Sequence, residues 1–173
     1  QDLEEAQESL IQVIRECDRA CTEQFHATFE QLRVEFSDIF TEIFGGGTAD
    51  LVLEDPSRSL ECGIEIVCQP PGKRLTRMSL LSGGEKSLVA IALLFAIMRV
   101  KPSPVCVFDE IDAALDEANL ARFVEMLRSI ARTVQVIIVT HRKRTMECAD
   151  VLYGVTMEEQ GVSKVFSLVA PSH

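Results

Sequence analysis

Two short apolar runs in this chain end abruptly in residues able to do chemistry. Val105-Cys106-Val107-Phe108 runs into Asp109-Glu110, and Val136-Ile137-Ile138-Val139 runs into Thr140-His141. In open parallel sheets, ligands gather outside the carboxyl ends of the strands. If the two runs are neighbouring strands, two carboxylates and an imidazole meet at one edge. Adjacent acids at a strand end point in different directions and can divide the work. Asp109 suits a hard cation such as Mg²⁺, which takes oxygen ligands and keeps several waters. Glu110 suits the positioning or deprotonation of an attacking water, and His141 suits a hydrogen bond to a terminal phosphate. Each residue alone also has a purely structural reading, as a helix N-terminus favouring negative charge or as a satisfied buried histidine. The combination favours chemistry.

A third feature precedes these. Leu80-Leu81-Ser82-Gly83-Gly84-Glu85-Lys86-Ser87 opens a long apolar helix. Ser-x-x-Glu at that place is a capping box, in which Ser82 binds the amide at Glu85 and Glu85 reaches back. Two glycines in a first helical turn cost about 1 kcal/mol each relative to alanine. They make sense where a ligand must approach the backbone, because a helix N-terminus with free amides and a serine hydroxyl is an anion site. The two roles are compatible if Glu85 holds the turn while Ser82 faces outward. A P-loop is excluded, since G-x-x-x-x-G-K-[ST] needs glycine directly before lysine and a strand before the loop. Glu85 intervenes here, so the chain has no phosphate cradle of its own.

The elements that must position these residues follow from periodicity. Residues 2 to 44 lack Pro and Gly. Leu3, Ala6, Leu10, Val13, Cys17 and Ala20 form the narrow a/d seam of a coiled coil. From Phe25 to Ile43 the stripe widens and becomes aromatic, as in a helix lying on a globular body. One continuous helix would be about 65 Å long. Gly45-Gly46-Gly47 reads as its C-cap. Ala49–Glu54 and Leu60–Cys68 are expected as two strands of a meander, with 73–79 as loop. A buried helix is expected from Gly83 to Arg99, a strand covered on both faces at 105–108, a helix at 117–130, and a second buried strand at 134–139. A short helix is expected near 143–148, then two C-terminal strands, 151–157 and 163–169, joined by a turn at Gln160-Gly161. The alternation of strands and helices after residue 83 indicates an α/β sheet with parallel strands.

Composition bounds the function. The 173 residues suffice for one domain with a real core. The net charge of −10 argues against a strong DNA-binding surface on this chain alone. Lys73-Arg74 with Arg77, and Arg142-Lys143-Arg144, read as solvated basic loops. The six cysteines form no CxxC pair and read as reduced, buried apolar residues. The most apolar run, Leu88 to Met98, is shorter than the ~20 residues that cross a bilayer. With Gln1 at its start and no charged apolar leader, the chain reads as a segment of a longer polypeptide.

In combination these residues resemble the C-terminal half of an ABC-type ATPase head. Leu81-Ser82-Gly83-Gly84-Glu85 is similar to the ABC signature motif and Val105 to Glu110 to a Walker B strand with its catalytic glutamate. Ala114-Leu115-Asp116 is similar to a D-loop, and His141 to a switch histidine. Within that superfamily, Leu80–Lys86, Asp109–Asp116, Thr140-His141-Arg142-Lys143, Gly63–Ile66 and Leu152–Met157 resemble structural-maintenance-of-chromosomes (SMC) proteins of the bacterial condensin type.

The resemblance implies an α/β fold: the C-terminal lobe of an ABC-type ATPase head, a largely parallel sheet flanked by helices, with residues 1–24 as a coiled-coil stub and 25–173 as the lobe. It implies an ATP hydrolase that needs an N-terminal P-loop lobe and a second head, the chain alone being inactive. Ser82, Gly83 and Gly84 would meet the γ-phosphate of ATP in trans. Asp109 would bind Mg²⁺ through water, Glu110 would polarise the attacking water, Asp116 would act across the dimer, and His141 would sense the γ-phosphate. The implied partners are a second SMC head, a kleisin subunit, and DNA through the full complex. The implied setting is cytoplasmic and nucleoid-associated, in chromosome condensation and segregation. The head of a related DNA-repair ATPase, or a non-catalytic coiled-coil interaction module, are the alternatives.

Overall fold

The structure is a computed structural model that describes residues 2–159 and 161–169, with the side chains of 2–5, 158 and 159 left aside. The chain divides into two compact units, Gln1–Pro102 and Ser103–His173. That boundary falls inside the stretch expected to form one lobe.

The first unit begins with α1 (Asp2–Phe44), one uninterrupted helix of 43 residues. Residues 6–21 are exposed along its first half, including Leu10 and Val13 of the narrow seam. Burial starts where the stripe widens: Phe29, Phe36, Ile39, Phe40 and Ile43 are in the core. They pack with α2 (Gly83–Val100), whose Leu88, Val89, Ile91, Ala92, Phe95 and Ala96 are buried. Each such side chain contributes about 1.5–3 kcal/mol when removed from water. An antiparallel sheet of order β1-β2-β3 completes the unit, from β1 (Thr48–Leu53), β2 (Ile64–Gln69) and β3 (Thr76–Arg77). The meander was legible from alternation; β3 lies where a loop was expected and has two residues, too few to show a period.

The glycine triplet is a helix cap. Gly45 has φ 69°, the left-handed conformation that carries no Cβ penalty in glycine. The Gly46 N–H donates to the Thr41 carbonyl at 2.9 Å, the long bond of a Schellman motif. Arg33 then fastens α1 to β1, its Nε and Nη2 each donating to Asp50 at 2.8 Å.

The second unit contains β4 (Val105–Asp109), α3 (Glu117–Ile130), β5 (Gln135–Val139), the short α4 (Lys143–Met146), β6 (Val151–Glu159) and β7 (Val162–Val169). β4 and β5 pair in parallel, Val105 opposite Gln135 through Asp109 opposite Val139, with α3 as the crossover. β6 and β7 form an antiparallel hairpin. The α/β class holds, but parallel pairing among the described residues is confined to β4 and β5. Parallel neighbours need a crossover of about a dozen residues or more, whereas only two residues separate β6 from β7.

A further departure concerns coverage. β4 and β5 were expected to be covered on both faces. Val105, Val107, Ile137 and Val139 instead line one exposed face of the pair, Val107 at 65% and Ile137 at 48% exposure. The hairpin is similarly open, with Tyr153, Val155, Met157 and Val165 exposed. Cys17 and Cys21 are exposed too, contrary to the buried expectation, because they sit on the free half of α1; all six cysteines are unbridged. No described helix is long and apolar enough to cross a membrane.

Gly47 supplies a test of the cap. Its φ is 85°, and a Cβ there would lie 2.3 Å from the Gln69 carbonyl oxygen. Gly47→Ala should destabilise the protein by about 2–4 kcal/mol, from left-handed strain plus overpacking against backbone. Urea unfolding measures this; a loss below about 0.5 kcal/mol would contradict the close approach.

Candidate functional site

The carboxyl ends of β4 and β5 finish level, Asp109 standing opposite Val139. Glu110 follows at φ 47°, the one non-glycine residue with positive φ among the described residues. That conformation costs about 1–2 kcal/mol and, where the surroundings enforce it, is a mark of functional sites. Here the Glu110 N–H donates to the Val139 carbonyl at 2.9 Å, and the Glu110 carbonyl accepts from the Ala113 N–H at 3.0 Å. The chain is thus held on both sides of the strained residue. The Glu110 side chain is exposed, and its Oε1 lies 3.9 Å from His141 Nδ1. This is beyond hydrogen-bond length, yet near enough for one small ligand to touch both. The strand-end arithmetic therefore brings Asp109, Glu110 and His141 to a common edge.

Asp112 escaped the sequence reading. It is fully buried, and its Oδ2 accepts hydrogen bonds from the Thr140 hydroxyl at 2.7 Å and from the Thr145 hydroxyl. Thr140 Oγ1 in turn accepts from the Arg142 N–H at 2.9 Å. The Arg142 guanidinium returns to the loop that Asp112 starts, donating to the Leu115 carbonyl at 3.0 Å and to Glu117 at 3.1 Å. Arg142 is therefore a structural strut and not part of a solvated basic loop. Asp116, expected to act across a dimer, is the N-cap of α3. Its carboxylate accepts from the Asn119 N–H at 2.8 Å and from Asn119 Nδ2 at 3.1 Å.

The Ser82 turn belongs to the first unit. Ser82 is the N-cap of α2 and is exposed, but its hydroxyl is not aimed outward. It donates to Glu85 Oε2 at 2.6 Å, and its N–H donates to the same oxygen at 3.2 Å. Lys73 Nζ reaches the other Glu85 oxygen at 2.7 Å. Lys73 first, then Ser82, hold the Glu85 carboxyl below its ordinary value of 4.5. The outward-facing serine of the sequence expectation is thus corrected: the Glu85 carboxylate, three residues on, is a better acceptor than water and captures the hydroxyl. Presenting that hydroxyl to a phosphate needs one rotation about the Cβ–Oγ bond. At Gly83 an added Cβ would meet no atom within 4 Å. Packing does not demand glycine there, and the backbone amides stay open to an approaching anion.

Comparison with known proteins decides the family. A family model described as the RecF/RecN/SMC N terminal domain matches residues 18–164. The chain belongs to the RecF/RecN/SMC family. The "Chromosome partition protein Smc" of Bacillus subtilis (strain 168) is 55% identical over 168 residues, which are 97% of this chain and 14% of that protein. The Smc head domain of Pyrococcus furiosus, solved with an extended coiled coil and bound to the C-terminal domain of ScpA, is 42% identical with a TM-score of 0.80. That match covers 94% of this chain and 40% of that one. A structure from work on ATP-driven dimerization and DNA stimulated activation of SMC ATPases is 43% identical with a TM-score of 0.78. It covers 85% of this chain and 89% of that one. The fold is accordingly that of an SMC-type ABC ATPase head, with a long N-terminal helix. The words "N terminal domain" in the family description do not bear out the placement of the chain in the C-terminal half of a head.

The carboxylate that holds this turn gives a pH test. Glu85 is held low by Lys73 and Ser82, and Asp50 below its ordinary 3.8 by Arg33. Their stabilisation is complete above about pH 4.5 and is lost as pH falls through the lowered values, because the unfolded chain then binds more protons. The urea midpoint should drop between about pH 5 and pH 3, and Glu85→Gln should show a shallower drop. Equal slopes in the two proteins would remove Glu85 from the account.

Proposed function

We propose that this chain is the C-terminal half of an SMC ATPase head and works only with a P-loop lobe and a second head. The observation that carries the reading is the level end of β4 and β5, where Asp109, the strained Glu110 and His141 share an edge in a sequence without a P-loop. The label of the family model does not decide between the halves of a head. The order signature, Walker B, D-loop and histidine, with no G-x-x-x-x-G-K-[ST] among them, supports the second half. The open face of Val105, Val107, Ile137 and Val139 supports a missing layer, since a bare apolar sheet face is costly in water.

On this reading the site residues divide as follows. No group of three metal-ligating side chains occurs among the described residues. A lone exposed Asp109 fits Mg²⁺ held through water and completed by phosphate oxygens. Mg²⁺, if held there, would polarise the γ-phosphoryl group of ATP. Glu110 takes the proton of the attacking water on a carboxylate oxygen. His141, with Nδ1 turned to Glu110, keeps Nε2 for a phosphate oxygen. Ser82 releases Glu85 and, with the amides of Gly83 and Gly84, meets the γ-phosphate held by the opposite head. Asp116 faces that same interface while it caps α3. Residues 1–24 are a coiled-coil stub, of which 6–21 are exposed on α1, and 25–173 form the lobe. The relatives' names and the ScpA-bound head support a kleisin partner, action on DNA through the whole complex, and a cytoplasmic, nucleoid-associated place in chromosome condensation and segregation.

The exposed stripe of α1 and the open hairpin favour one second reading, an interaction module without a nucleotide role. Glu110→Gln separates the two. With the P-loop lobe restored, it should cut ATP hydrolysis by about 100-fold or more while head dimers persist longer; unchanged turnover would sink the ATPase reading. Ser82→Arg should abolish ATP-dependent head dimerisation, seen by light scattering, and leave ATP binding to a single head intact. Lost ATP binding in the isolated head would overturn the assignment of Ser82 to the opposite pocket.

A further inference from the structure

We propose that Asp112 is a positioning residue for hydrolysis: its buried carboxylate ties the loop that carries Glu110 to the loop that carries His141. The proposal rests on the ATPase reading above and adds a residue to it. One oxygen, Oδ2, receives both threonine hydroxyls, from Thr140 before His141 and from Thr145 after it. Thr140 relays the tie to the Arg142 N–H, so both peptide neighbours of His141 are fixed. Arg142 closes the ring by donating to the Leu115 carbonyl, and the Asp112 carbonyl accepts from the Leu115 N–H at 3.2 Å. Glu110, two residues before Asp112, is pinned in turn by its bonds to Val139 and Ala113. The exposed Glu110 and His141 make no hydrogen bond to each other at 3.9 Å. Their separation is therefore set from beneath, by the ring through Asp112.

The other carboxylate oxygen, Oδ1, is buried with no hydrogen-bond partner among the described residues. An unpaired buried acceptor is unfavourable, and such groups in native structures call for a reason beyond stability. Threonine hydroxyls bond an ionised oxygen about twice as strongly as a neutral one, so a carboxylate gives the stiffest junction available in this space. Misplacement of a reacting group by about 1 Å can cost 100-fold in rate, which makes a rigid spacing between Glu110 and His141 worth this expense.

The experiment uses the chain assembled with its P-loop lobe and compares Asp112→Ala, Thr145→Val and Thr145→Ser. Asp112→Ala should lower kcat for ATP about 100-fold, with KM changed by less than about threefold. Thr145→Val, which removes one hydroxyl at constant shape, should lower kcat about tenfold, and Thr145→Ser should restore it. In ¹³C–¹H spectra of the histidine rings, the His141 signal should be single and sharp in the wild type and in Thr145→Ser, and split or broadened in Asp112→Ala and Thr145→Val. Equal kcat and equal His141 signals in Thr145→Val and Thr145→Ser would overturn the proposal even if Asp112→Ala fails to fold. So would a KM that rises in step with any loss of kcat. A wild-type assembly that does not hydrolyse ATP would refute the ATPase reading, and the His141 spectra would still decide whether Asp112 orders that loop.

Discussion

Two threonine hydroxyls donating to one buried oxygen of Asp112 hold together the loops that follow β4 and β5. The geometry of both loops rests on that junction. Parallel pairing brings the strand ends level, but it leaves the loops beyond them free to diverge. The carboxylate converts two adjacent loops into one cross-linked body, which Arg142 closes from the far side. Left-handed strain at Glu110 is tolerable because the chain on either side cannot relax. A partnerless carboxylate in the same place would be among the costliest features a small core could hold, so the threonines and the aspartate only make sense together.

The first unit solves a different problem with similar means. The turn at Ser82 must keep backbone amides free while the helix behind them stays formed. Glu85 and Lys73 do this from the side: the carboxylate takes the Ser82 N–H and hydroxyl, and the ammonium compensates the carboxylate. The glycines remain unencumbered. At rest the serine is a structural cap, and its hydroxyl is available to a stronger acceptor at the expense of one hydrogen bond of about 1–3 kcal/mol. Arg33 and Asp50 brace the same unit where α1 meets β1, so that the exposed half of the helix projects from a fixed root.

Much of this was legible in the sequence, and the failures have physical causes. The long helix, its glycine cap and the apolar α2 follow from periodicity and from the absence of breakers between residues 2 and 44. The edge that gathers Asp109, Glu110 and His141 follows from two apolar runs ending in polar residues. Asp112 was passed over because it stands two residues beyond the conspicuous acidic pair. The signal that could have found it is a carboxylate flanked by Ile111 and Ala113, with hydroxyls at Thr140 and Thr145 beyond the next strand. Apolar runs were read as strands covered on both faces because hydropathy records what a strand prefers, and not whether its cover belongs to the same chain. The hairpin of β6 and β7 was legible because a two-residue connection admits only an antiparallel neighbour.

The proposed reading makes this chain half of a nucleotide site, because the sequence carries no P-loop to cradle a triphosphate. The most direct measurement is ATP turnover by this chain alone, by a P-loop lobe alone, and by the two combined over a range of concentrations. The account predicts no turnover from either part, and turnover per head that rises with concentration in the mixture, because two heads must meet. Turnover by this chain alone, or a rate per head independent of concentration in the mixture, would contradict it.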